Sequence, residues 1–267
     1  MRNLISFGAV ITAALFAAPL AAQDAPSIPG VTAPPMSAAD LVTLPRLGAP
    51  AVNAAGTMAV YSVTITDPAT LKRSPQHYLL DLTTPGAAPV ALDFSIRASD
   101  LAFGADGAIY FLSAEHPDTA APQRTRVWRT VVAKDGTNGA LSVVAEPEHA
   151  DIAGFKLAPN GSAFAVWGEV PRTCPTFGCA DAKPAHLPGP GTGRLYDGTD
   201  GFVRHWDRWA TPGTHNRIFT FPLVNGVAQG EGVPADGVDP ATGITADSPT
   251  MPFGGAEEIA FTPDGKA

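Results

Sequence analysis

Leu101-Ala102-Phe103-Gly104-Ala105-Asp106-Gly107-Ala108-Ile109-Tyr110-Phe111 is an apolar run, a turn centred on Gly107, and a second apolar run. It is a hairpin in sequence form, because Asp before Gly suits a tight reversal and the flanking runs suit strands. The same layout recurs in Ala51-Val52-Asn53-Ala54-Ala55-Gly56-Thr57-Met58-Ala59-Val60-Tyr61. It recurs again in Phe155-Lys156-Leu157-Ala158-Pro159-Asn160-Gly161-Ser162-Ala163-Phe164-Ala165-Val166 and in Ile259-Ala260-Phe261-Thr262-Pro263-Asp264-Gly265-Lys266-Ala267. The turn glycines fall at 56, 107, 161 and 265, in steps of 51, 54 and 104, the last being twice 52. A period of about 40 to 50 residues with strands on both sides of each turn is the sequence form of propeller blades.

Four strands can be read in each unit. After the first turn they are Met58–Thr66, 77–82 and 89–92; after the second they are Ile109–Ser113, 126–133 and 140–145. Strands are also expected at 163–170 and 217–224. The expected fold is therefore all-β, a partial β-propeller of four-stranded antiparallel blades over residues 46–267. The double step between Gly161 and Gly265 has two readings: a degenerate turn at Pro212-Gly213 hiding a further blade, or a long insertion between the second and third strands of one blade. Residues 171–201 are rich in Pro and Gly without alternation, which favours an inserted loop of about 171–213.

The N-terminus points to export. Arg2 gives a positive start, residues 4–20 are almost wholly apolar, and Leu20-Ala21-Ala22 places small residues before Gln23 and Asp24. That is the layout of a secretory signal peptide over residues 1–22, with 23–45 as a lead-in segment. The competing reading, an uncleaved anchor, fits less well beside Pro19, and no second spanning run follows. No membrane contact is expected after cleavage, and the exported chain is expected in the periplasm or outside the cell.

Lys plus Arg number 17 against 25 Asp plus Glu, a formal charge of −8, with no basic cluster, which argues against a nucleic-acid partner. Gly and Pro stand at 27 each, yet 45% of residues are apolar, too many for a disordered chain. Many tight turns between buried strands reconcile the two.

The two cysteines lie in Cys174-Pro175-Thr176-Phe177-Gly178-Cys179, and such a close pair in an oxidising compartment reads as a local disulfide. A metal site would need more ligands than His186, and a redox motif has two intervening residues, not four. No cofactor or metal is expected. The densest polar segment is Arg204-His205-Trp206-Asp207-Arg208-Trp209. Arg204, His205 and Asp207 could face a ligand between tryptophan walls; the expected role is instead an ionic and aromatic anchor for the insertion, with Trp206 and Trp209 buried and 174–193 exposed. Glu257 and Glu258, before the last repeat, could bind a cationic amine or be a solvated strand end. Asn160-Gly161-Ser162 matches a glycosylation acceptor but coincides with a hairpin turn. The sequence contains no Gly-x-Ser-x-Gly nucleophile elbow and no phosphate-cradling Gly loop, so no catalytic residue is assigned.

The Pro-Asn-Gly and Thr-Pro-Asp-Gly-Lys turns, the Arg204–Trp209 run and the acidic pair together resemble the N-terminal propeller of bacterial exported serine peptidases of the prolyl oligopeptidase family, of the dipeptidyl aminopeptidase and acylaminoacyl peptidase type. The resemblance implies a following α/β-hydrolase domain with a Ser, Asp and His triad acting on short peptides. It also implies that the propeller excludes large substrates. On that basis these 267 residues are expected to be a truncated reading frame without peptidase activity alone. The other readings are a periplasmic propeller serving as an interaction platform and a propeller enzyme with its site in the central channel.

Overall fold

The computed structural model describes residues 36–171, 174–179, 204–205, 208–209, 214–235, 247–251 and 253–265. The chain divides into two compact units, 1–41 and 42–267. Helix α1 (Ala38–Thr43) begins with a reciprocal cap: Ser37 Oγ accepts from the Asp40 amide at 3.1 Å, and Asp40 Oδ2 accepts from the Ser37 amide at 2.8 Å.

Among the described residues, three larger antiparallel sheets and one two-stranded hairpin follow. In the first, β1 (Arg46–Leu47) and β2 (Ala51–Val52) share one edge of β3 (Met58–Thr66), which pairs with β4 (Arg73–Asp81) and then β5 (Val90–Leu92). The second is a four-stranded meander of β6 (Ser99–Phe103), β7 (Ile109–Ser113), β8 (Arg126–Thr130) and β9 (Ser142–Ala145). The third joins β10 (Gly154–Leu157) to β11 (Ala163–Pro171). The short strands β12 (Arg204–His205) and β13 (Arg208–Trp209) pair with each other in a separate hairpin. β14 (Thr214–Val224) then returns beside β11, followed by β15 (Val227–Ala228) and β16 (Val233–Pro234) on its other side. β11 and β14 pair without a break from Ala163↔Pro222 to Pro171↔Thr214, so residues 172–213 leave and rejoin one sheet. These are propeller-type blades, and the all-β reading holds.

One turn geometry opens the sheets. The amide of Gly56, Gly107, Gly161 and Gly265 donates to the carbonyl three residues earlier, on Asn53, Gly104, Ala158 and Thr262. Each glycine has φ between 67° and 76°, the left-handed region that a side chain disfavours. The Asp or Asn before it does not carry the positive φ; it stabilises the turn through its side chain instead. Asp106 Oδ1 accepts from the Ala108 amide at 3.1 Å, and Asn160 Oδ1 from the Ser162 amide at 2.9 Å.

Apolar faces close between neighbouring sheets. Val60, Leu79 and Leu92 of the first sheet meet Ile109, Phe111 and Trp128 of the second. Leu112, Val127 and Val144 on the other face of the second sheet meet Phe164, Val166, Phe219 and Phe221 of the third. Arg126 is wholly buried, yet each of its guanidinium nitrogens has a partner: Nε donates to Glu146 Oε1 at 2.7 Å, Nη1 to Arg124 O at 2.9 Å and Nη2 to Pro122 O at 2.8 Å. Those bonds fasten the loop that precedes β8 and offset the cost of burying the charge.

Two expectations are corrected. The disulfide loop is not an exposed stretch over its described part: Cys174 and Phe177 are buried, and the Phe177 ring lies 5.2 Å from that of Phe219. An apolar ring in the loop gains more by entering the core than by staying in water. The segment at 259–262, expected as a strand, forms no ladder. A 3₁₀ turn (Ala256–Glu258) precedes it, and Lys156 Nζ on β10 donates to the carbonyls of Ala256 and Ile259. The Ile259 carbonyl is thus satisfied by an ammonium, and that of Thr262 by the Gly265 amide, without a strand partner.

Candidate functional site

Where the turns of the second and third sheets meet, a cleft of about 530 Å³ opens, lined among others by Asp106, Tyr110, Arg129, Asn160 and Gly226. Tyr110 and Arg129 are direct cross-strand partners on β7 and β8, which sets the aromatic ring beneath the guanidinium, 5.8 Å from its centroid. Arg129 Nη2 lies 2.6 Å from Asp106 Oδ2, and the Tyr110 hydroxyl donates to the same oxygen at 3.0 Å. Burial, together with the Asp106 charge, pushes the Tyr110 hydroxyl up to about 12. A side chain at Gly226 would collide with Arg129, so the turn after β14 caps the guanidinium from the next sheet. The cluster carries charge and a hydroxyl into an open cleft but has no nucleophile beside a base.

A serine and a histidine do meet elsewhere. Ser62 and His77 pair across β3 and β4, with Ser62 Oγ 2.9 Å from His77 Nδ1. His77 is buried, and that burial holds its pKa below the usual 6.5, opposed in part by a hydrogen bond with the Ala98 backbone. With a backbone group in place of an orienting carboxylate, the pair is a polar strut between strands, not an assembled triad.

The residues singled out in the sequence are dispersed. Cys174 and Cys179 are disulfide-bonded, with Cα atoms 5.7 Å apart, and Arg217 Nη1 donates to the Cys174 carbonyl at 2.6 Å. Arg204 is exposed and pairs in register with Trp209, while His205 pairs with Arg208. Trp206 and Asp207 lie outside the described residues. Glu257 and Glu258 are exposed on the 3₁₀ turn, and Glu258 Oε2 accepts from the Thr250 amide at 2.8 Å, which gives that carboxylate a local, turn-forming role. Among the described residues no group of three or more His, Cys, Asp or Glu is placed to hold a metal ion. No helix among them is long and apolar enough to cross a membrane. The Asp106–Tyr110–Arg129 cluster went unread in the sequence because Arg129 is distant along the chain; the β7–β8 register was the signal that would have joined them.

The sheets and the cores between them define propeller-type blades. Over most of its length the chain is similar to a peptidase: it is 29% identical over 220 residues to dipeptidyl-peptidase 5 of Aspergillus fumigatus, covering 79% of this chain and 28% of that protein. A probable dipeptidyl-peptidase 5 of Aspergillus niger is 36% identical over 84 residues, covering 29% of this chain and 11% of that one. The chain thus spans about a quarter of the length of the curated relatives it matches. The resemblance to the propeller portion of peptidases of this type therefore holds along most of the sequence. Among solved structures, the acylaminoacyl peptidase of Pyrococcus horikoshii aligns with a TM-score of 0.47 at 10% identity, covering 73% of this chain and 26% of that one. No model of a known protein family matches the chain.

Proposed function

We propose that this chain is the substrate-gating propeller portion of an exported serine peptidase that acts on short peptides. The bond-breaking chemistry comes from an α/β-hydrolase domain that these 267 residues do not include. The likeness to dipeptidyl-peptidase 5 over 79% of the chain carries this reading. The apolar N-terminal segment and the Cys174–Cys179 disulfide support an oxidising, exported setting.

The test compares the complete gene product with residues 23–267 alone on chromogenic dipeptide and acyl-amino-acid substrates. Turnover by the complete product, blocked by a serine-directed inhibitor, and none by residues 23–267 is expected. Inhibitor-sensitive turnover by residues 23–267 would overturn the division of labour. Failure of the complete product to cleave any short peptide would overturn the peptidase reading and leave an interaction platform.

A further inference from the structure

The dipeptide Asn-Gly occurs three times in the chain, as Asn138-Gly139, Asn160-Gly161 and Asn225-Gly226. It is open to attack on itself, because a glycine carries no side chain to crowd the approach of its nitrogen to the asparagine Cγ. Once that nitrogen gives its proton to solvent base, a bond from N to Cγ forms and ammonia leaves. The product is a five-membered imide. Water then opens the ring at either carbonyl, leaving an aspartyl or an isoaspartyl residue. In sum, asparagine and water give a carboxylic acid and ammonia, with no change of oxidation state. The reaction needs a carboxamide that can turn and a backbone nitrogen that is not already donating.

The fold denies those conditions to two of the three. Asn138 Nδ2 donates to the Asp93 carbonyl, its Oδ1 is buried, and the Gly139 amide donates to the Val131 carbonyl at 2.7 Å. Asn160 Nδ2 donates to the Asp264 carbonyl at 2.6 Å, and its Oδ1 accepts from the Ser162 amide and hydroxyl at 2.9 and 2.7 Å. The Gly161 amide in turn donates to the Ala158 carbonyl at 2.9 Å. Asn225 and Gly226 differ on every count. They form the two-residue loop between β14 and β15, with φ of 53° and 75°, the left-handed pair of a tight hairpin turn. Asn225 is exposed, and among the described residues neither its carboxamide nor the Gly226 amide has a hydrogen-bond partner. Two residue pairs, Val224↔Val227 and Leu223↔Ala228, hold the hairpin behind the loop, so the loop opens at little cost.

We propose that Asn225 is a self-modification site, converted through an imide with Gly226 to aspartate and isoaspartate, while hydrogen bonding keeps Asn138 and Asn160 intact. The change falls on the cleft described above, whose lining includes Asn225. Either product brings a carboxylate to the cleft in which Arg129 is paired with Asp106. The isoaspartyl form also lengthens the main chain by one methylene beside Gly226, where the backbone lies so close to Arg129 that a Cβ would collide with it. This inference is independent of the peptidase reading.

The complete gene product, held in mildly alkaline buffer both folded and in urea and sampled over weeks, tests it by peptide mapping with mass spectrometry. Circular dichroism confirms the folded sample. In the folded protein, acid is expected at 225 at least about tenfold faster than at 138 or 160, whose hydrogen bonds must break first. In urea the three rates are expected to converge. Comparable folded-state rates at the three sites, or an intact Asn225 in folded protein over the time that converts it in urea, would overturn the proposal. A preference for 225 that persists undiminished in urea would also overturn it, because local sequence and not the fold would then be its cause.

Discussion

Asn160 reaches from the turn of the third repeat to that of the fourth, its Nδ2 donating to the backbone carbonyl of Asp264 at 2.6 Å. The same side chain accepts from the Ser162 amide and hydroxyl, so one residue both shapes its own turn and fastens the next. Substituting Asn160→Ala should cost about 2 kcal/mol, since it removes three hydrogen bonds at an exposed site, each worth little. Asn160→Asp should keep the Ser162 contacts and lose the bridge. Hydrogen exchange would then rise at 262–265 in both variants, but at Ser162 only in the alanine variant. Unchanged exchange at 262–265 would remove the bridging role.

The buried His77 gives stability a pH dependence with a defined sign. Its folded pKa lies below the unfolded value near 6.5, so in the window between them the unfolded chain binds the proton more readily. The contribution is complete above that unfolded value and is lost as pH falls through the folded one. Urea denaturation at pH 7.5 and at pH 5 should show a drop that His77→Gln reduces. An equal drop in both proteins would mean that other groups carry it.

At the alkaline end Tyr110 acts in the opposite sense. Its hydroxyl, pushed up to about 12, favours folding in full below pH 10, and that contribution is lost as pH climbs towards the folded value. Tyr110→Phe should flatten the fall in stability between pH 10 and 11. It should also loosen Arg129, which remains paired with Asp106.

Phe177 should matter more than the disulfide that brackets it. Phe177→Ala removes a ring that is 6% exposed and should cost about 3 to 5 kcal/mol. Closing so short a loop contributes about 2 kcal/mol, so Cys174→Ala with Cys179→Ala should be the milder change. Denaturant midpoints of the two variants decide the order, and a larger loss from the cysteine pair would contradict it.

Much of the fold could be read from local chemistry. The strands Met58–Thr66 and Ile109–Ser113 appear with the bounds that their apolar runs suggested, because Gly56 and Gly107 mark where each run must begin. The site was far less legible. Asp106 reads as a turn former in sequence; its pairing with Arg129 depends on strand register, which no local pattern encodes. Burial of the disulfide loop depends likewise on Phe219 and Arg217, both on a strand that returns only after the insertion. The strand expected at 259–262 failed for a related reason: its first carbonyl, on Ile259, answers to Lys156, a residue of the preceding repeat.

The uninterrupted pairing of β11 with β14 makes the third sheet a permissive place for grafting. Pro171 and Thr214 are held opposite each other by the ladder itself, whatever chain runs between them. Because the ends are already together, each doubling of the inserted length costs only about 0.6 kcal/mol of closure entropy. An inserted segment of very different size could therefore be accommodated between Pro171 and Thr214 while the blade keeps its register.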